Sequence, residues 1–195
     1  MKKRIAILAS GGGSNAEALL KAMQDPAYPA ACVLVFSNKL GAGVLDKAAH
    51  YGVPTAVLDH KAYASRDAFD AAVLARLAEA KPDYLCLAGY LRILTPAFVQ
   101  AYAGRILNIH PSLLPKHGGP GMHGQHVHEA VLAAGDSESG ATVHFVAAGV
   151  ARGALVLQQR VPVLPGDSVE TLAARVLGAE HQVYAQALKK LCSDE

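Results

Sequence analysis

The stretch Arg4-Ile-Ala-Ile-Leu-Ala-Ser-Gly-Gly-Gly-Ser-Asn15 decides the fold class. A short apolar run reads as a buried strand, three glycines interrupt it, and the Ala/Leu-rich segment Asn15–Met23 continues with helical character. The alternation recurs along the whole chain. Strands are expected near Arg4–Ala9, Ala31–Ser37, Thr55–Leu58, Tyr84–Ala88, Ile106–His110, Thr142–Val146 and Leu155–Val163. Helices are expected over Asn15–Met23, Ala42–Tyr51, Asp67–Ala80, Pro96–Tyr102, Val127–Ala134 and Ser168–Leu191. This is the pattern of an α/β fold, an open, mostly parallel doubly wound sheet of about seven strands with helices on both faces. Asp167 is placed to cap the last helix, with Glu170 reaching back as in a capping box.

A chain of 195 residues suits one domain over residues 1–195, long enough to bury a core without metal or disulfide support. With 52% hydrophobic and 17% charged residues and a net charge of +2, the chain implies neither a nucleic-acid surface nor disorder. Its three cysteines, Cys32, Cys86 and Cys192, lack CxxC spacing and fit a reducing cytoplasm. The first apolar run, Ile5–Ala9, is too short for a signal-peptide core or a membrane span, so no membrane partner is expected.

In Ser10-Gly-Gly-Gly-Ser-Asn15, a glycine loop runs from a strand into a helix, so backbone N–H groups and the positive helix end converge on one point. That makes a seat for phosphate, with Ser14 and Asn15 side chains as further donors. The loop is neither the dinucleotide fingerprint nor a Walker loop.

A second stretch, Ile106-Leu-Asn-Ile-His110, carries two polar residues in an apolar run and stops on Pro111. The period of two puts Asn108 and His110 on one strand face, at the carboxyl edge where open α/β sheets bind ligands. A histidine beside a carboxamide donor suits a reaction in which charge develops on an oxygen while a proton moves, as in acyl transfer to a substrate amine. The segment between Pro111 and Gln125, rich in proline and glycine, reads as a functional or mobile loop. His117, His123, His126 and His128 have no acidic or cysteine partner at a metal spacing; no metal site is expected, and they read as surface loop histidines. Arg92 lies among apolar residues in Leu87-Ala-Gly-Tyr-Leu-Arg-Ile-Leu94, where a flat aromatic ligand could lie.

Gly11-Gly-Gly-Ser-Asn15, Phe36-Ser-Asn38, Leu87–Leu94, Leu107-Asn-Ile-His-Pro-Ser-Leu-Leu-Pro115 and Val143-His-Phe-Val146 occur in this order. With them the chain resembles the phosphoribosylglycinamide formyltransferases of purine biosynthesis. The Asn-x-His-Pro-Ser-Leu-Leu-Pro motif belongs to the wider group that uses 10-formyltetrahydrofolate. The resemblance implies transfer of a formyl group from 10-formyltetrahydrofolate, a cosubstrate, to the amine of glycinamide ribonucleotide. It implies phosphate binding at Gly13, Ser14 and Asn15, the amine near Glu180, and the folate along Leu91, Arg92, Ile93 and Leu94 with its glutamate tail at Arg66. Asn108 would donate to the formyl oxygen and His110 would stabilise the intermediate and relay a proton. Both substrates are small molecules; the protein would be a monomer or homodimer.

One position departs from the family pattern. An aspartate that pairs with the active-site histidine usually follows Val-His-Phe-Val; here alignment places Ala151 there, and Ala154 at the family's proline. Asp136 and Glu138, the nearest acids, precede the strand. Alanine can neither orient an imidazole nor raise its pKa, so turnover slowed by about 10²–10⁴-fold is expected, and Arg152 would lower the histidine's pKa further. The alternatives are a catalytically impaired folate and ribonucleotide binder of the same fold, or a formyltetrahydrofolate hydrolase. Formylation of methionyl-tRNA usually needs an added basic C-terminal domain.

Overall fold

The computed structural model describes residues 1–148 and 152–193. The strands are β1 (Lys3–Ala9), β2 (Ala30–Ser37), β3 (Thr55–Val57), β4 (Tyr84–Leu87), β5 (Ile106–His110), β6 (Glu138–Phe145) and β7 (Leu155–Pro162). They form one sheet in the order β3-β2-β1-β4-β5-β6-β7. Five are parallel, while β6 runs antiparallel to β5 and β7 to β6. The helices are α1 (Ser14–Ala22), α2 (Gly43–His50), α3 (Arg66–Ala80), α4 (Pro96–Ala101), α5 (Gln125–Ala134) and α6 (Val169–Ser193).

The period of two in each strand sorts the core into two layers. Ile5, Ile7 and Ala9 of β1, Leu107 and Ile109 of β5, and Ala141 and Val143 of β6 pack on the side of α1, α2 and α6. Ala6 and Leu8 of β1 and Ile106 of β5 pack with Phe69, Val73 and Phe98 of α3 and α4. Asn108, His110, Thr142 and His144 have the parity of this second face. The loop from Pro111 to Gly124 lies over that end of it: Leu114, Pro115 and Met122 share a cavity with Asn108, His110 and His144. A loop with little periodicity leaves a hollow where a packed helix would fill the space.

The strand order reverses at β1, so the crevice between the carboxyl ends of β1 and β4 is the topological switch point at which such sheets bind ligands. The glycine loop follows β1 and the Ala88–Leu94 segment follows β4.

Two local expectations are corrected. The first strand residue of β6 is Glu138, four residues before the expected start, because Glu138–Ala141 pair in register with Gln159–Pro162; only a residue without a side chain fits at Gly140, where a Cβ would collide with the Gln159 carbonyl. The cap of α6 lies one residue later than expected. Ser168 Oγ accepts from Thr171 N and Thr171 Oγ1 accepts from Ser168 N, at 3.2 and 2.9 Å, a capping box built on Ser and Thr. Asp167 instead accepts both terminal nitrogens of Arg175, at 2.7 and 3.0 Å, together with Leu164 N and the Thr171 hydroxyl at 2.7 and 2.8 Å.

Candidate active site

Asn108 and His110 emerge side by side from the end of β5, both half-buried. Antiparallel pairing places His144 of β6 opposite Asn108 and Thr142 opposite His110. Asn108, His110 and His144 line a cavity of about 510 Å³ together with Ile93, Pro115 and Arg152. A neighbouring hollow of about 430 Å³ is lined by Tyr90, Arg92, Ile93, Leu94 and Val99 and shares Ile93, Asn108 and His144 with the first. One continuous groove therefore runs from the β4–α4 loop to the polar pair.

Thr142 holds the turn after β5. Its hydroxyl donates to the Ser112 carbonyl at 2.7 Å and accepts from Leu114 N and Gln158 Nε2 at 3.1 and 3.0 Å. With this turn pinned, His110 Nε2 donates to the His117 carbonyl at 2.9 Å. A carbonyl only accepts, so neutral His110 carries its proton on Nε2, leaving the Nδ1 lone pair for chemistry. His144 is the reverse: its Nδ1 donates to the Phe145 carbonyl at 2.9 Å, leaving Nε2 with the lone pair.

Burial lowers the pKa of His110 below its ordinary value, against the opposing effect of the His117 carbonyl. Burial does the same to His144, reinforced by the nearby His110 and Arg152. Arg152, which lines the same cavity as both histidines, lowers His144. Ala151 lies outside the described residues.

At the switch point, Gly13 is the N-cap residue of α1 with φ 69°, and Glu17 N is the first to bond back, to the Gly13 carbonyl. The N–H groups of Ser14, Asn15 and Ala16 are therefore left for a ligand. The Asn15 side-chain amide also donates to Glu180 Oε1 at 3.1 Å, which leaves its second N–H and its backbone N–H as donors. Burial raises the Glu180 carboxyl above the ordinary carboxylate value, with Asn15 opposing. Ser10 ties the two loops together. Its amide donates to the Gly89 carbonyl, and its hydroxyl accepts from Leu91 N at 2.9 Å and donates to Asn38 Oδ1 at 2.6 Å.

The predicted residues thus form two groups at one sheet edge. Gly13, Ser14, Asn15 and Glu180 make one; Asn108 and His110 with Arg92, Ile93 and Leu94 make the other. Only β4 separates β1 from β5, so the groups emerge roughly 10 Å apart, two interstrand spacings. Leu91 is 74% exposed and lines neither hollow, contributing its backbone to Ser10. Arg66 is an exposed first residue of α3.

Sequence reading missed His144, Ser10 and the role of Thr142. Thr142 and His144 interrupt an apolar strand at a spacing of two, the same signal that singled out Asn108 and His110. The surface reading holds for His123 and His126 but fails for two of the four loop histidines: His117 is 18% exposed and bonded to Asp136 at 2.7 Å, and His128 is buried. Among the described residues, no three His, Cys, Asp or Glu side chains converge as metal ligands would, and no helix is long and apolar enough to cross a membrane.

The sequence signature of the formyl transferase family matches residues 3–188. The phosphoribosylglycinamide formyltransferase of Escherichia coli is 44% identical over 180 residues, 92% of this chain and 82% of that one. The crystal structure of the Brucella melitensis phosphoribosylglycinamide formyltransferase is 49% identical and covers 98% of this chain and 96% of its own, with a TM-score of 0.92. The trifunctional purine biosynthetic protein adenosine-3 of Bos taurus is 47% identical over 192 residues, but the chain spans only 18% of its length. A mixed seven-stranded sheet with a polar pair at its carboxyl edge, matched in sequence and backbone over nearly its whole length, places this chain in the formyl transferase family, among the phosphoribosylglycinamide formyltransferases.

Proposed function

We propose that the chain transfers the formyl group of 10-formyltetrahydrofolate to the amine of glycinamide ribonucleotide, acting as a single domain over residues 1–195. The observation that carries this reading is the convergence of Asn108, His110 and His144 on a groove whose other end is the Arg92–Leu94 loop. The ribonucleotide phosphate sits on the backbone N–H groups at Gly13, Ser14 and Asn15, and Glu180 faces the amine. The folate occupies the hollow beside Arg92, Ile93 and Leu94, with Leu91 and Arg66 flanking it.

As the amine attacks, negative charge collects on the formyl oxygen, and the Asn108 amide donates to it. A fixed donor in a half-buried groove is worth about 3–4 kcal/mol to such a step. His110, kept neutral by burial, takes the amine proton on Nδ1 and, once cationic, adds its charge beside the oxyanion before returning the proton to the departing folate nitrogen. Ala151 supplies no carboxylate to that imidazolium, so the chain turns over slowly while binding is retained. No metal takes part. The partners are these small molecules rather than nucleic acid or membrane, the setting is cytoplasmic, and the chain works as a monomer or homodimer.

The test mixes both substrates with the protein and follows release of deformylated folate by absorbance, with His110→Ala as control. Product formation that His110→Ala abolishes is the expected result. Tight binding of both substrates by calorimetry with no product would instead identify a binding protein.

A further inference from the structure

His110 does not find a carboxylate partner among the described residues. Its Nε2 donates to the carbonyl of His117, seven residues further along the loop. Local bonds fold the loop back to bring that carbonyl over β5: Ser112 Oγ donates to the Lys116 carbonyl at 2.6 Å, and Lys116 N to the Leu113 carbonyl at 3.1 Å. His117 then adopts φ 53°, a left-handed conformation uncommon for a residue with a side chain. Such a conformation persists when its surroundings fix it. The fixing contact is lateral. The His117 ring leaves the loop and its Nε2 donates to Asp136 Oδ2 at 2.7 Å, in the turn between α5 and β6. Lys116 Nζ approaches the other carboxylate oxygen at 3.5 Å. The bond from His117 holds the Asp136 carboxyl below the ordinary carboxylate range, so it is ionised at neutral pH and accepts.

We propose that Asp136 and His117 are positioning residues for His110: the carboxylate anchors the His117 ring, and the anchored residue fixes the carbonyl that holds His110 in its Nε2–H tautomer. Two residues outside the groove's chemistry thereby do part of what a carboxylate at position 151 would do. Orientation through a carbonyl fixes the tautomer but brings no negative charge to the imidazolium, so the substitution is partial. The inference rests on the formyl-transfer reading.

Four variants test it, Asp136→Ala, Asp136→Asn, His117→Ala and His117→Gln, each measured for kcat, for both KM values and for the ¹⁵N shifts of the His110 imidazole. Asparagine keeps an acceptor oxygen, and glutamine carries an amide donor at a length similar to the imidazole Nε2. The alanine variants are expected to lower kcat about tenfold with both KM values within twofold, and to replace the single Nε2–H tautomer by a mixture. The asparagine and glutamine variants are expected to restore both readouts to within threefold of the parent, and the double alanine variant to be no worse than either single one. An unchanged tautomer in Asp136→Ala, a loss confined to KM, or additive losses in the double variant would overturn the proposal. If the alanine variants fail to fold, the tautomer in the two conservative variants decides: single supports the anchor, mixed overturns it. A parent chain without formyl transfer would count against the formyl-transfer reading alone, and the ¹⁵N measurement would still decide the anchor.

Discussion

Gly13→Ala isolates the geometry of the phosphate seat. Gly13 stands at φ 69°, where an L side chain costs about 1–2 kcal/mol. A Cβ there would lie 2.5 Å from Val44 Cγ2 and 2.8 Å from Val44 Cβ, inside contact distance of a fully buried residue of α2. Relieving such overpacking costs about another 1–3 kcal/mol. The variant should therefore lose about 2–5 kcal/mol in urea denaturation, a large part of a typical domain's 5–15 kcal/mol. Gly11, with open space around it, should accept alanine within about 0.5 kcal/mol. Because the clash lies under the first turn of α1, moving α1 away from α2 also moves the N–H groups of Ser14 and Asn15. KM for the ribonucleotide should rise about tenfold, equivalent to 1.4 kcal/mol, with a smaller change in KM for the folate. Adding Val44→Ala removes the 2.5 Å contact but leaves the one to Cβ, so the double variant should recover only about 1 kcal/mol relative to the sum of the single changes. A Gly13→Ala protein as stable as Gly11→Ala, or a double variant that is strictly additive, would refute the assigned packing.

Ala151→Asp should raise kcat at least tenfold without tightening either KM, because the gain of an orienting carboxylate is felt in the transition state; no gain in a steady-state assay would mean that position 151 is not where a carboxylate acts. The pH dependence follows from His110, whose pKa lies below its ordinary 6.5 because of burial. If the neutral ring is the base, kcat should be level above that value and fall on its acid side, and an acid limb centred above 6.5 would contradict a burial-dominated shift. Stability should move in the same direction. Burial lowers His110, His128, His144 and His181 alike, so below 6.5 the unfolded chain takes up protons first. Their contribution is full above 6.5 and is lost as pH falls through the lower folded values, which a thermal melting series from pH 7.5 to 5 would register as a falling Tm. Tyr184→Phe should cost about 1–2 kcal/mol in urea denaturation, because its buried hydroxyl donates to the Leu87 carbonyl at 2.8 Å, close to the Leu107 carbonyl at 3.3 Å; a variant of parental stability would mean those carbonyls lose nothing.

Most of the framework was legible because it depends on patterns a few residues long. Among the described residues, apolar runs of strand length between Ala/Leu-rich segments predicted the seven strands and six α-helices, though not the short 3-10 turn His60–Ala62, and the period of two placed Asn108 and His110 together. Errors arose where a contact distant in sequence outweighs the local pattern. Glu138–Ala141 look unlike a strand, yet β7 supplies partners for their backbone. Asp167 looks like a cap, but Arg175, two turns into the helix, claims its carboxylate and Ser168 takes over the cap. The link from Asn15 to Glu180, brought from the far end of the chain, was equally invisible in the sequence. His117 sits in a proline- and glycine-rich loop that gives no hint of Asp136.

The switch from parallel to antiparallel pairing explains why the candidate chemistry gathers at β5 rather than at β1 or β4. A parallel neighbour of β5 would need a crossover of a dozen or more residues, usually a helix, which would pack against one face of the sheet. Here the chain leaves β5 through the Pro111–Gly124 loop, passes through α5, and returns as β6 running the other way. In antiparallel register Asn108 faces His144 and His110 faces Thr142, so the strand that follows the loop adds its own polar residues to the same face. One of them, Thr142, binds the loop at Ser112 and Leu114, and the loop returns a carbonyl to His110. The loop is thus both the roof of the groove and the part that orients the histidine beneath it. A change at Thr142 should therefore alter the tautomer of His110 as well as the shape of the cavity, whereas a change at Ile109, on the opposite face of the same strand, should affect stability alone.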